Sequence, residues 1–256
     1  REDRKNPNVL YVGTEIGLYV SIDGGQRWWA AAGKSLPAVP VHEVLVHPRE
    51  NDLLVATHGR GVFILDDASA VQQLTPDVIA KKAHLFGLRT ATRVTMKGTK
   101  GNIGDRVFRG PNPPMGALVT YWLSQPLDST ATARLEILDA ERKVIRTIPR
   151  IPRARGVQRV TWALDENGPR PRNAGPVAGE EFFGPVTGPR VLPGTYTVRL
   201  IAGTDTMTQT VAVRMDPTIP TTEANLRRQQ TAARQLRDMQ SAVNDTLRAL
   251  DGFKAQ

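Results

Sequence analysis

The side chains that could do chemistry are concentrated around residue 60. Residues 57–67 read Thr-His-Gly-Arg-Gly-Val-Phe-Ile-Leu-Asp-Asp. Two carboxylates and a histidine can bind a cation or share a proton, so His58, Asp66 and Asp67 form a candidate site. Because both aspartates directly follow a predicted strand, a turn or a helix cap is the simpler explanation for them. His58 and Arg60 lie in a glycine-containing turn, from which Arg60 can project, and we predict both as candidate ligand contacts.

A second group of such side chains lies in residues 21–28, which read Ser-Ile-Asp-Gly-Gly-Gln-Arg-Trp. This composition is typical of a hairpin turn, because Asp23 can accept backbone N–H groups and glycines allow positive φ. The indole of Trp28 is expected to bury against the sheet. We therefore predict a structural turn held by Ser21, Asp23, Gly25 and Trp28. A catalytic carboxylate at Asp23 is the alternative.

The elements that must position both turns are repeated strand pairs. Residues 8–23 align with residues 51–67 at an offset of 43–44, and each copy reads as a strand, a glycine-containing turn and a second strand. A further strand is predicted over 41–47. The offset matches the ~40–50-residue period of β-propeller blades. Because one blade cannot bury both of its faces, we expect further blades, and we interpret the chain as part of a longer protein.

The turn and the repeat together resemble a known family. Residues 21–28 resemble the Asp-box, or BNR repeat, Ser-x-Asp-x-Gly-x-Thr-Trp, with Arg27 where Thr is usual. Residues 7–87 resemble the last propeller blade of large secreted bacterial proteins of the sortilin type, which are often labelled glycosyl hydrolases. The resemblance implies an extracellular or periplasmic protein that binds peptide or glycan ligands and whose partner is the rest of its own propeller. The alternative is a sialidase-like glycoside hydrolase with its catalytic residues mostly upstream.

The middle of the chain is predicted to be a second β domain. Glycines and prolines over 91–115 indicate a linker after the blade region of residues 1–90. Residues 116–216 contain six short strands separated by turns, typical of an Ig-like β-sandwich with Trp162 as core anchor. This part resembles the Ig-like domain of flagellar hook-capping proteins, which implies a spacer or packing module. The strands are predicted over 117–123, 133–138, 143–148, 157–163, 194–200 and 207–213. The long loop 165–193 could reach a partner.

The C-terminal segment, residues 217–256, is predicted to be an amphipathic helix. Its apolar residues recur at spacings of three, four and seven. They are Leu226, Ala233, Leu236, Met239, Val243, Leu247 and Leu250. Such a stripe needs a partner, and the sandwich, a second helix and another chain all remain open. The expected fold is therefore mainly β: a terminal propeller blade, an Ig-like sandwich and this helix.

Composition excludes several classes of function. The chain has 256 residues, a formal charge of +9 and no cysteine, which removes disulfides, thiol catalysis and cysteine-based zinc sites. No apolar run approaches the ~20 residues of a membrane-spanning helix. The basic excess lies mainly in residues 141–172, which we interpret as a solvated sheet face; a surface for anionic polymers is the alternative, and no nucleic-acid partner is predicted. We predict no catalytic residue, cofactor or metal site, and the spacing of His42, His47 and His84 is not that of metal ligands.

Overall fold

A computed structural model describes residues 1–31, 36–94, 110–172 and 187–254. The described chain is mainly β, with fourteen strands in four sheets, two short helices and one long C-terminal helix. None of the described helices is long and apolar enough to cross a lipid bilayer. The coarse prediction, a mainly β chain that ends in a helix, is confirmed.

The first region, residues 1–80, consists of two antiparallel three-stranded sheets and two short helices. The strands of the first sheet are β1 (Leu10–Thr14), β2 (Gly17–Ser21) and β3 (Trp29–Ala30). Those of the second sheet are β4 (Val41–Val46), β5 (Leu53–Thr57) and β6 (Val62–Leu65). The helices are α1 (Ser69–Gln73) and α2 (Pro76–Ala80), the second capped by the Thr75 side chain. Branched apolar residues on alternate positions of these strands form one buried cluster between the two sheets.

The repeat is visible in the hydrogen bonds of its two hairpins, β1–β2 and β5–β6. Thr14 Oγ1 donates to the Gly17 carbonyl at 3.0 Å, and Thr57 Oγ1 donates to the Gly61 carbonyl at 2.8 Å. Both glycines have positive φ, at 135° and 83°. The predicted strand–turn–strand pattern of both copies is confirmed, and the same side chain closes the turn in each.

A buried polar network attaches the N-terminal residues to α1. The Gln72 side-chain amide donates to Asp3 Oδ2 and to Asn51 Oδ1, both at 2.9 Å. Tyr11 Oη donates to the same Asp3 oxygen at 3.1 Å, and burial is the main cause that raises the pKa of this phenol. Because buried polar groups are costly without partners, these four side chains specify how strands and helix assemble.

The second region, residues 83–215, consists of two sheets that share one core. The larger sheet has the order β11-β10-β13-β14-β8 and the smaller one β12-β9-β7. The strands are β7 (Ala83–Leu85), β8 (Ala91–Arg93), β9 (Ala117–Leu123), β10 (Ala133–Leu138), β11 (Val144–Ile148), β12 (Gly156–Trp162), β13 (Gly194–Ala202) and β14 (Asp205–Met215). All six predicted strands are present. Trp162 is fully buried in the shared core, with its ring 5.4 Å from that of Tyr196, which confirms its role as anchor.

Strand pairing extends this second region upstream of the predicted boundary at residue 90. β7 pairs antiparallel with β9, and β8 pairs parallel with β14. The sequence analysis assigns β7 to the blade region and β8 to the linker 91–115, because each is only three residues long and too short for a periodic pattern. Residues 95–109 of that linker and residues 173–186 of the loop 165–193 lie outside the described residues. The division into domains remains a prediction.

The long helix is α3 (Glu223–Lys254), which confirms the predicted helix within residues 217–256. Asn225 N donates to Thr222 Oγ1 at 3.2 Å, so the Thr222 side chain caps the N-terminus of the helix. Leu226 is buried, whereas Leu236, Met239, Val243 and Leu250 are exposed. The amphipathic helix is therefore present, but most of its apolar stripe does not pack against the described chain.

Candidate functional site

Ser21 and Asp23, which the sequence predicts to hold the turn over residues 21–28, both form hydrogen bonds within it. The Ser21 hydroxyl accepts from Gly25 N at 2.8 Å and donates to Asp23 Oδ1 at 2.9 Å. The same Asp23 oxygen accepts from Arg27 N at 2.9 Å, which is the backbone hydrogen bond that the sequence predicts. Gly24 and Gly25 have φ values of 72° and 93°, which favour glycine. The arrangement explains these residues as a local turn.

Arg27, which stands where the repeat usually has threonine, contributes a bond of its own. Its Nε donates to Asp23 Oδ2 at 2.9 Å. The backbone hydrogen bond from Arg27, followed by this side-chain bond, lowers the pKa of Asp23. Both carboxylate oxygens of Asp23 are therefore hydrogen-bonded within the turn, as a structural acceptor requires.

The prediction that Trp28 is buried is wrong. Its side chain is 42% exposed, and its indole nitrogen donates to the Gly25 carbonyl at 3.0 Å. The neighbouring Trp29 is also exposed, with the guanidinium carbon of Arg27 5.6 Å from its ring centroid. The indole of Trp28 therefore folds back over its own turn, next to the edge strand β3. The sequence pattern identified the turn and its bonds, but burial depends on what packs beside the sheet.

The predicted ligand contacts His58 and Arg60 lie on an exposed turn between β5 and β6. His58 N donates to the Pro40 carbonyl at 2.9 Å, and both side chains are exposed. The ring of His58 lies 5.2 Å from the ring of His42, centroid to centroid, with an angle of 36° between the planes. We name His42, His58 and Arg60 the imidazole surface.

His42 is a member of this surface that sequence reasoning missed. The β4–β5 register pairs Val41 with Thr57 and Glu43 with Ala56, so an irregularity in the pairing falls at His42. A bulge of this kind re-aims a side chain relative to the regular alternation of a strand. Because His42 and His58 are sixteen positions apart, only the strand register brings them together.

A cleft of about 290 Å³ lies beside the imidazole surface, between β1 and β4. Its lining includes His42 together with Arg1, Tyr11, Gly13 and Glu43. A Cβ on Gly13 would come within 2.4 Å of the Val41 carbonyl oxygen, so this glycine permits the close approach of the two strands. Arg1 forms an ion pair with Glu43 at the cleft. The arrangement offers imidazole and guanidinium donors to a polar or anionic group of a ligand.

Asp66 and Asp67 do not join this surface. They follow β6 at the end opposite to His58, and the four residues of that strand alone span about 13 Å. Asp67 Oδ1 accepts from Ser69 N at 3.1 Å, and Asp67 has a φ of 55°. The simpler explanation, a turn that precedes a helix, therefore accounts for Asp67. Within the described part of the chain, no cluster of three or more His, Asp or Glu side chains could hold a metal ion.

The two aspartates instead form part of a polar joint between the first and second regions. Arg159 of β12 donates from Nη2 to the Asp67 carbonyl at 2.9 Å and also donates to the Asp66 carbonyl. Arg89 lies 3.4 Å from Asp52 and 3.7 Å from Asp67. Burial, and then the charge of Asp52, raise the pKa of Asp66. The joint buries charged groups from both regions and pairs them across the boundary.

Several arginines of the basic stretch 141–172 form hydrogen bonds with distant parts of the protein, which a solvated sheet face does not require. Arg159 lies in the joint, and Arg153 Nη1 donates to the Ala131 carbonyl at 2.9 Å. Arg170 Nε donates to Asp245 at 3.0 Å, and Arg172 Nε donates to Asp251 at 2.8 Å. The prediction of a solvated sheet face is therefore wrong for Arg159, which lies in the joint, whereas the side chains of Arg170 and Arg172 remain 65% and 44% exposed while they bind α3.

Comparison with known proteins assigns the chain to no family. No family model matches the chain, and no curated protein matches it. The propeller and Ig-like assignments therefore remain expectations from the sequence resemblance.

Proposed function

We propose that this chain is the non-catalytic interaction region of a secreted bacterial propeller protein of the BNR-repeat type. Two observations support a propeller origin: the hairpins β1–β2 and β5–β6 close with the same threonine-to-glycine bond, and Ser21 and Asp23 hold the intervening turn. An extracellular or periplasmic location belongs to the same proposal, and it rests on the resemblance.

The open faces of the first region support a partner that is the rest of the propeller. Val62, Ile64 and Leu65 of the edge strand β6 are exposed. Folded proteins normally cover or charge such an edge, because unpaired strands with apolar side chains associate with other chains. In this proposal, further propeller strands cover β6, as β3 covers the equivalent edge of β2.

For the second region we propose an Ig-like packing module. The two sheets share one apolar core, and Trp162 donates its indole N–H to the Asp165 carbonyl at 2.8 Å. The joint made by Arg159 and Arg89 supports a rigid spacer that holds the blade region in one orientation, because a guanidinium bonded to two backbone carbonyls resists rotation.

The ligand-binding part of the proposal is carried by one observation, the imidazole surface beside the 290 Å³ cleft. Exposed imidazole and guanidinium groups recognise carboxylates and hydroxyl groups by hydrogen bonds. The ligand class that fits this chemistry is an acidic peptide or a glycan with carboxylate groups.

The test is retention of ligands on arrays of acidic and neutral peptides and of acidic and neutral glycans. Arg60→Ala should weaken binding of the retained ligand at least about tenfold, because a charge-assisted hydrogen bond contributes about 1.5–3 kcal/mol. Arg155→Ala, which removes an exposed arginine from the second region, is the matched control and should leave binding unchanged. Failure to retain any acidic ligand, or equal losses in both variants, would overturn the proposal.

A glycoside hydrolase is the second candidate, since burial and the charge of Asp52 raise the pKa of Asp66, which is the direction of shift that a general acid needs. Against it, the neighbouring carboxylates are occupied: Asp52 Oδ1 accepts from Asp67 N at 2.9 Å. Hydrolysis of a sialoside panel that disappears in Asp66→Asn would replace the non-catalytic proposal with this one.

A further inference from the structure

The C-terminal helix α3 attaches to the protein through its charged face. Arg234 Nε and Arg237 Nη1 each donate to the buried Glu166 carboxylate at 2.9 Å. Further along, Asp245 and Asp251 accept from Arg170 and Arg172 at 3.0 and 2.8 Å. The helix is therefore held by ion pairs along almost five turns. A helix on a globular domain usually docks by its apolar face instead.

The opposite side of α3 carries large apolar side chains that face solvent. Leu236 and Met239 are both 66% exposed, and Phe253 is 74% exposed. Val243 and Leu250 are exposed as well. These side chains form one contiguous apolar surface along α3. Single exposed apolar residues are common, but a contiguous exposed apolar surface is typical of an interaction site.

The spacing of this surface is that of a coiled coil. Apolar residues and one threonine alternate at intervals of three and four, and we call them the heptad stripe. They are Leu236, Met239, Val243, Thr246, Leu250 and Phe253. A repeat of 3.5 residues keeps one seam of a helix in contact with a second helix, so the fitting partner is another α-helix.

Charge points to an identical helix as the partner. The positions that flank the heptad stripe from 235 to 249 hold only uncharged residues: Gln235, Gln240, Ala242, Leu247 and Ala249. In coiled coils, charges at these flanks select a different partner or repel an identical one. Charges of this part of the helix, such as Arg234, Arg237 and Asp245, lie on the side that docks to the protein.

From these observations we propose that the heptad stripe pairs with the heptad stripe of a second copy of this chain, which makes the protein a dimer through α3. The part of the chain that carries Glu166 and Arg170 is not the partner, because it already binds the charged face of α3. A membrane surface fits less well, because helices that lie on lipid carry basic residues beside their apolar face and this stripe has uncharged flanks. The proposal is independent of ligand binding at the imidazole surface.

The test is sedimentation velocity of the whole chain over a concentration series. We expect a reversible dimer, and Leu236→Lys with Val243→Lys should weaken it at least about 100-fold, because each dimer would lose four apolar contacts and gain facing like charges. Lysine is a good helix former, so the helix content by circular dichroism should not change. The matched control is Ile16→Lys, which removes a side chain of the same 66% exposure from the β1–β2 turn and should leave the dimer intact.

A second measurement does not depend on whether the helix tolerates the two lysine substitutions. Because the protein has no cysteine, Met239→Cys introduces a single thiol on the stripe, and a short bifunctional thiol crosslinker should join two chains. The same substitution at Ile16 should give no covalent dimer. A monomer at all concentrations overturns the proposal, whether the stripe then binds anionic vesicles or a helix of another protein. A dimer that the stripe variants leave unchanged overturns it equally.

Discussion

The two β regions use similar strands but are stabilised in different ways. In the second region, two sheets face each other and bury Trp162, Leu135 and Leu200 completely between them. The first region also buries an apolar cluster, but side-chain hydrogen bonds close its turns and a polar network anchors α1, while Val62 and Ile64 on its edge strand β6 remain exposed. The difference teaches that a β-branched strand does not determine its own burial; a facing sheet does.

The strongest test of this contrast compares tryptophans of the two regions. Trp162→Ala should destabilise the protein by about 3–5 kcal/mol, because it empties the centre of a packed core and leaves the Asp165 carbonyl without its indole donor. Trp28→Ala should cost less than about 1.5 kcal/mol, since that side chain is already exposed. Chemical denaturation of both variants measures the difference, and similar losses would contradict the distinction between the regions.

The next largest effect is expected at the joint. Arg159→Met should destabilise the protein by about 1–3 kcal/mol, because it removes the donors that the Asp66 and Asp67 carbonyls share. It should also separate the unfolding of the two regions into two calorimetric transitions, whereas we expect a single transition for the wild type. Arg155→Met is the control. A single unshifted transition in Arg159→Met would show that the joint does not couple the regions.

The two regions should also respond oppositely to pH through one aspartate each. Burial raises the pKa of Asp165, so its contribution to folding is present while it is protonated and is lost as pH rises through that raised pKa. The bonds from Arg27 lower the pKa of Asp23, so its contribution is present above the ordinary value and is lost as pH falls through the lowered one. Unfolding free energies of Asp165→Asn and Asp23→Asn from pH 2.5 to 7 measure both. Their differences from the wild type should change in opposite directions as pH rises, and parallel changes would be inconsistent with these environments.

The smallest effect tests whether the two hairpins of the first region are equivalent. Thr14→Val and Thr57→Val each remove one hydroxyl that donates to a turn glycine. We expect each to cost about 0.5–1.5 kcal/mol, with the two losses within ~0.5 kcal/mol of each other. Thermal unfolding checks this. A large loss in one hairpin and none in the other would mean that the repeat shares a sequence pattern without sharing energetics.

Residue order and periodicity were enough to locate most elements. β9 over Ala117–Leu123 and β10 over Ala133–Leu138 have the predicted bounds, because continuous or alternating apolar residues specify a strand locally. The turn of residues 21–28 was predictable for the same reason, since the side-chain hydrogen bonds of Ser21 and Asp23 join residues no more than four positions apart. β7 and β8 were not, because strands of three residues carry no periodic signal.

The candidate site was only half predictable. Sequence reasoning selected His58 and Arg60 because glycines place them on a turn, but it could not add His42, which reaches His58 through the register of β4 on β5. It also placed Asp66 and Asp67 near His58, where the length of β6 separates them. Distance along the chain is a poor guide to distance in space where strands pair antiparallel.

Local sequence determines where this chain forms strands, turns and a helix, because backbone preferences and short-range hydrogen bonds act within a few residues. Tertiary structure decides which surfaces those elements cover. The exposed Trp28, the arginines of the basic stretch that find distant acceptors and the outward apolar stripe of α3 all follow from what packs beside them. Burial is a property of neighbours in space, and the hydrophobic effect acts on the surface that those neighbours remove from water.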